Sequence, residues 1–168
     1  GIAFDALYEA VKARGIIGLG IAPRSNIGLF CNNGPEFVAG FFGAQLANCA
    51  VVPLNARHKA HELAYIINNA DISLLLTAAA DTTYLDFRSV LSDAMPSLAD
   101  STGAALALDE APKLKRIVLL SGDPAPGFTS ADEFYTAGEA IGEAQIDRLR
   151  MRTRLADLAA IIYTSGTT

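Results

Sequence analysis

The chain is 168 residues long, 51% hydrophobic and 18% charged, which fits one globular domain able to bury about 68–70% of its unfolded surface. Disordered, collagen-like and coiled-coil classes are excluded by that composition. A net charge of −5 gives no global attraction to phosphate backbones or anionic lipid, so nucleic acid is not an expected partner.

The two cysteines, Cys31 and Cys49, sit among apolar residues without CxxC spacing. They read as buried free thiols in a reducing, cytoplasmic compartment. The sequence opens at Gly1 without a methionine and closes at Thr168 inside a Ser/Thr/Gly cluster, so it reads as a piece cut from a longer protein. Residues 37–56 are long and uncharged enough to span a bilayer. Gln45, Asn48 and Pro53 interrupt them and no basic flank is present, so a helix followed by a strand is expected instead of a transmembrane segment. No leader pattern opens the chain.

Phe4, Leu7, Tyr8 and Val11 stand at helical spacing and predict a helix to about Arg14, after which Gly15, Gly18 and Gly20 are expected to loosen the chain. Asn26 to Cys31 reads as a strand buried on both faces. Pro35 suits a first helical position and Glu36 the positive end of the dipole, predicting a helix from Pro35 to about Ala47. Asn48 can take the left-handed conformation that stops it, and Ala50 to Leu54 is a second strand. Leu63, Ile66, Ile67 and Ala70 form the next helical stripe, followed by a strand over Ile72 to Thr77 and a helix from about Thr82 to Met95, stopped by Pro96. Residues 97–115 fit loop, helix or strand and stay open. Arg116 to Leu120 is a fourth strand, 121–127 a loop, Ser130 the cap of a short helix, and Ala159 to Tyr163 a fifth strand. This alternation calls for a doubly wound α/β domain, a mostly parallel sheet with helices on both faces.

In such sheets ligands bind beyond the carboxyl ends of the strands. After Ile161-Ile162-Tyr163 come Thr164, Ser165, Gly166, Thr167 and Thr168, four hydroxyls and one glycine. A turn of this kind can wrap N–H donors and hydroxyls around phosphate oxygens. A plain polar loop closing a strand fits the composition equally well. It is not a Walker loop, because GxxxxGK[ST] is absent and no lysine follows Lys115.

YTSGTT after an apolar strand resembles the phosphate-binding motif of the adenylate-forming (AMP-binding) superfamily, which includes acyl-CoA synthetases, firefly luciferase and peptide-synthetase adenylation domains. Asn33-Gly34-Pro35-Glu36-Phe37, Gly43-Ala44, Val51-Val52-Pro53-Leu54-Asn55, Glu62-Leu63-Ala64-Tyr65-Ile66-Ile67 and Asp157-Leu158-Ala159 resemble the same family in the same order. The resemblance implies the N-terminal subdomain of a two-step carboxylate ligase. It would use ATP, magnesium and coenzyme A, forming an acyl-adenylate and then a thioester, as expected of acyl-CoA metabolism, fatty acids among the candidates. By the match, Thr164 to Thr168 are the first half of the loop around the β- and γ-phosphates, and no catalytic or metal-binding residue is assigned within the chain. The loop's glycine, proline and lysine continuation is missing after Thr168, and Pro23-Arg24-Ser25 stand where many members have glycine and aspartate. The chain alone is therefore expected to be inactive, and to expose an apolar face that favours self-association. Two rivals are a non-enzymatic binding or interaction module derived from the fold, and a flavodoxin-like flavin domain.

Other signals carry less. Gly18-x-Gly20 lacks the strand and third glycine of a dinucleotide site. His58 and His61 could share a helical face for a metal, but no further ligand stands nearby, so solvated or capping roles are expected. Arg148, Arg150, Arg152 and Arg154 alternate with Leu149, Met151, Thr153 and Leu155, which predicts an edge strand with one charged face, or a local anion site. Phe37, Phe41 and Phe42 read as core, and Asp71, Asp81, Asp86 and Glu110 show no pairing by spacing.

Overall fold

The computed structural model describes residues 2–79, 86–101 and 105–164. Five parallel strands form the sheet: β1 (Asn26–Phe30), β2 (Ala50–Pro53), β3 (Ile72–Thr77), β4 (Arg116–Leu119) and β5 (Thr129–Ser130), in the order β2-β1-β3-β4-β5. The helices are α1 (Ile2–Gly18), α2 (Pro35–Leu46), α3 (Ala60–Asn69), α4 (Phe87–Ala94), α5 (Ala131–Gly138) and α6 (Glu143–Arg150). The doubly wound expectation holds. One face of the sheet packs Ile27, Leu29, Val51, Leu74, Leu76 and Val118 against α1, α2, α5 and α6. The other packs Phe30, Val52, Ile72, Leu75 and Ile117 against α3, α4 and the 106–114 segment. Strands buried on both faces explain why each reads as a continuous apolar run rather than an alternating one.

Several local expectations are met. Asn48 is left-handed, with φ 56°, behind α2, and the Ser130 hydroxyl accepts from the Glu133 N–H at 3.2 Å to cap α5. Leu63, Ile66, Ile67 and Ala70 are all buried, as are both free thiols. Asp86 caps α4 by accepting from Arg88 N–H at 3.0 Å and Ser89 N–H at 3.3 Å. This moves the start of that helix to Phe87, later than Thr82, and Thr82 itself lies outside the described residues. The open stretch before β4 contains a 3-10 turn, Pro96–Asp100. The rest of its described part forms neither helix nor strand, and it buries Leu108, Ala111 and Leu114. Asp71 pairs with Lys113 at 2.7 Å, and Glu110 accepts from Ser97 N–H at 3.1 Å.

Four expectations are corrected. Gly15 and Gly18 do not loosen the chain; both belong to α1, which runs on to Gly18 because the lack of a side chain lets α1 approach α5. A Cβ on Gly15 would lie 2.4 Å from Phe134 Cζ, and one on Gly18 would lie 1.9 Å from the Ala137 carbonyl oxygen. The arginine run is not an edge strand: Arg148 and Arg150 end α6, whose Asp147 pairs with Arg150 at 3.0 Å, and residues 151–152 turn out of it. Ala159 to Tyr163 forms no strand; it makes one parallel bridge, Ala160 to Val51. Finally, α2 buries Ala39, Gly40, Gly43 and Ala44, with Gly40 against Leu29 and Leu76 of the sheet and Gly43 against Lys12 of α1; Phe37 and Phe41 pack on the core half-buried, and Phe42 is exposed rather than core.

Beneath α2 lies Lys12, fully buried. Its ammonium pairs with Glu36 Oε2 at 2.7 Å, donates to the Tyr135 hydroxyl at 2.5 Å and stands 4.9 Å from the ring centroids of Tyr8 and Tyr135. The Tyr8 hydroxyl donates to Glu36 Oε1. This cluster ties α1 to α2 and α5.

Candidate functional site

In a parallel sheet the carboxyl ends of the strands open onto loops, and the change of direction between β1 and β3 leaves a crevice there. This strand order is shared with flavodoxin-like domains, so topology alone does not choose between the nucleotide and flavin readings.

The larger of two clefts at this end has a volume of about 570 Å³. Pro53 and Asn55 supply its wall from the end of β2, Arg57 to Ile66 supply the entrance to α3, and Tyr163 and Thr164 close the opposite side. Local chemistry fixes each wall. Asn55 Oδ1 accepts from the Arg57 N–H at 2.9 Å, turning the chain after β2. Glu62 accepts from the Lys59 N–H at 2.7 Å, which closes the first turn of α3 and holds its carboxyl below the usual carboxylate range. The single bridge at Val51 and a hydrogen bond from the Tyr163 hydroxyl to Asn69 Oδ1 at 2.5 Å bring the last described residues against α3. Burial raises the Tyr163 phenol, which stays a donor at neutral pH.

The smaller cleft, of about 350 Å³, lies between the ends of β1 and β2 and is lined by Cys31, Asn32, Asn33, Phe37 and residues 53–56. Burial pushes the Cys31 thiol up to about 11, so it is no nucleophile at neutral pH.

Of the five residues expected to cradle phosphate, Thr164 is exposed at the rim of the larger cleft. Ser165, Gly166, Thr167 and Thr168 lie outside the described residues. His58 and His61, expected in solvated or capping roles, line the same cleft, and among the described residues no group of three or more His, Cys, Asp or Glu could hold a metal. Asn55, Arg57, Tyr65 and Tyr163 were missed as site residues, although the rule that points to 164–168 points equally to the residues after β2. The donors suit an anion: the Arg57 guanidinium lines the same cleft as Thr164, and His58 Nδ1 is shielded from solvent with no hydrogen-bond partner among the described residues. The donors do not by themselves fit magnesium, because the one carboxylate in the cleft wall is engaged by the Lys59 N–H.

The doubly wound sheet with a cleft at its carboxyl end places the chain among open α/β domains. Residues 4–168 match the model of the AMP-binding enzyme family, and the chain belongs to that family. It is 31% identical over 152 residues to a crotonobetaine/carnitine–CoA ligase of Salmonella arizonae, covering 89% of this chain and 25% of that protein. It is 27% identical over 169 residues to the long-chain-fatty-acid–CoA ligase ACSBG2 of Rattus norvegicus, covering 99% of this chain and 23% of that protein. The fold matches the crystal structure of the anthranilate CoA ligase AuaEII in complex with anthranoyl-AMP, with a TM-score of 0.69 and 20% identity over 96% of this chain and 26% of that one. The chain thus spans about a quarter of the length of these relatives.

Proposed function

We propose that the chain is the N-terminal part of an ATP-dependent acid–thiol ligase, in which a carboxylate forms an acyl-adenylate and the acyl group then passes to coenzyme A. The observation that carries this reading is the family match over residues 4–168, supported by Thr164 lining one cleft with Arg57, His58 and His61. Bound ATP supplies an activated phosphoryl centre and the pyrophosphate leaving group. Thr164 to Thr168 offer hydroxyl and N–H donors to its phosphates, Arg57 lends positive charge, and the Tyr163–Asn69 bond holds the start of the loop in place. Magnesium and the thiol acceptor would be held by residues outside the chain, and the buried thiols accord with a cytoplasmic setting.

The 168-residue chain is expected to show no carboxylate-dependent ATP–pyrophosphate exchange, and a protein extended by several hundred residues is expected to show it. Exchange by the short chain, or its absence from the extended protein with a broad panel of carboxylates, would overturn the reading. A binding module derived from the fold predicts no exchange from either.

Leu158 and Ile162 are 59% and 74% exposed on either side of the Val51 bridge. We infer that they pack on the remainder of the ligase, so that the chain alone self-associates. Sedimentation velocity should show a weight-average mass that rises with concentration and falls back toward monomer in Leu158→Ser/Ile162→Ser; a monomer at all concentrations refutes this.

A further inference from the structure

The amino end of the sheet, opposite the cleft, carries a second surface. β1 and β2 begin there at Asn26 and Ala50, and the chain returns there between α6 and the bridge at Ala160. Arg24 is left-handed, with φ 68°, donates its N–H to the Asn48 carbonyl at 2.5 Å and pairs with Asp157 at 3.2 Å. The Thr153 hydroxyl meets Asn48 Oδ1 at 3.4 Å. These contacts set the 22–24 turn and the 151–154 turn on either side of a cleft of about 600 Å³, lined by Pro23, Arg24, Asn48, Met151, Arg152 and Arg154. Arg148 and Arg152 are exposed and form no ion pair among the described residues, while Arg154 is exposed with Asp157 close by, its N–H donating to Asp157 Oδ2 at 2.9 Å and helping to hold that carboxyl below the usual carboxylate range. Met151 and Leu155 stand among them, the first 81% exposed and the second fully so.

We propose that this end of the domain docks on an anionic lipid bilayer. Arg24, Arg152 and Arg154, which outnumber the neighbouring Asp157 carboxylate, flank a cleft wide enough for a phosphate headgroup and supply the charge complementarity. Met151 and Leu155, exposed among the described residues, supply apolar contact with the acyl boundary. A polynucleotide fits less well, because the cleft has no aromatic lining to stack on bases and the two apolar side chains would gain nothing from phosphate. A second copy of the same face would bring arginine against arginine. The net charge of −5 disfavours the membrane only at long range. The attraction acts within a Debye length of this one end, so the sequence-based exclusion of anionic lipid does not hold locally. The proposal uses no residue of the phosphate cleft and is independent of the ligase reading.

The test is co-sedimentation of the chain with vesicles of phosphatidylglycerol and phosphatidylcholine, against phosphatidylcholine alone. Binding is expected to the anionic vesicles, to weaken with added salt and to be at least tenfold weaker on the neutral ones. Each arginine removed should weaken partitioning about fivefold, so Arg152→Gln/Arg154→Gln should lose about 25-fold. Met151→Ser/Leu155→Ser should weaken it several-fold. All four side chains are exposed, so both variants should keep the circular dichroism spectrum of the parent. Failure to bind anionic vesicles, equal binding to neutral ones, undiminished binding by either variant, or retention on a single-stranded oligonucleotide without vesicle binding would each overturn the proposal.

Discussion

Replacing Gly18 with alanine should destabilise the domain by about 2 kcal/mol, because overpacking at a site that cannot relax costs about 3 kcal/mol while the gain in helix propensity returns about 1 kcal/mol. The obstacle is backbone: the new Cβ would stand 1.9 Å from the Ala137 oxygen and 2.4 Å from its carbonyl carbon. The opposing helix is equally close, since a Cβ on Gly138 would come within 2.8 Å of the Gly15 nitrogen. Neither helix can yield alone. Gly34 is the internal control, with extended backbone at φ −178° and nothing within 4 Å of a Cβ. Urea denaturation should place Gly18→Ala well below the parent in midpoint at unchanged m-value, and Gly34→Ala close to the parent. Equal midpoints for the two variants would refute the close approach of α1 and α5.

Lys12→Ala should cost about 3 kcal/mol or more, the lower end of the range for removing one partner of a buried ion pair, since Glu36 keeps a side-chain exposure of 38% and can recover water. It strands the Tyr135 hydroxyl and removes the stem and ammonium that fill the space between α1, α2 and α5, while the Cβ that packs under Gly43 remains. Lys12→Met keeps the stem and should lose much less. The charge itself has a signature in pH. Burial lowers Lys12 to about 8 from its ordinary 10.5, an effect the nearby Cys31 partly offsets. Between those values the unfolded chain binds more protons, so this group makes stability rise with pH. Burial raises Cys31 and Cys49 to about 11 and Tyr135 to about 12. Above about pH 9 the unfolded thiols ionise while the folded ones do not, so two groups pull stability down against one pushing it up. Stability should therefore climb from pH 8 to 9, at no more than about 1.4 kcal/mol per unit, and fall beyond. In Lys12→Met the climb should vanish and the fall remain. A climb that persists in the variant would assign it to another group.

The strands buried on both faces were legible because nothing but an apolar run of four to six residues satisfies such a position. The β1 to β3 unit followed from that, together with Pro35 and Asn48. The segments that misled share a cause in pairing partners that local sequence does not encode. Residues 159–163 are as apolar as β3, yet meet β2 at a single bridge. The arginines alternate with period two, but the Asp147–Arg150 pair and the start of α6 at Glu143 put the first half of the run on a helix. Of the phenylalanines of α2 read as core, Phe37 and Phe41 pack on it only half-buried and Phe42 is exposed; glycine and alanine make the deepest contacts, since small residues let the helix sit close to Leu29 and Lys12. The candidate site was half visible. Its loop announced itself by composition, but the facing wall, Arg57 to Tyr65, is brought there by a bond between Tyr163 and Asn69 that spans 94 positions.

The Lys12–Tyr135 contact closes 123 positions of chain. As a polypeptide emerges from the ribosome, α1 appears more than a hundred residues before its partners on α5. Until α5 follows, the Lys12 ammonium and the glycine face of α1 lack the contacts that α5 supplies. This helix is thus committed late, and the nascent protein should stay vulnerable to chaperone capture or proteolysis at α1 until residues near 138 have been translated.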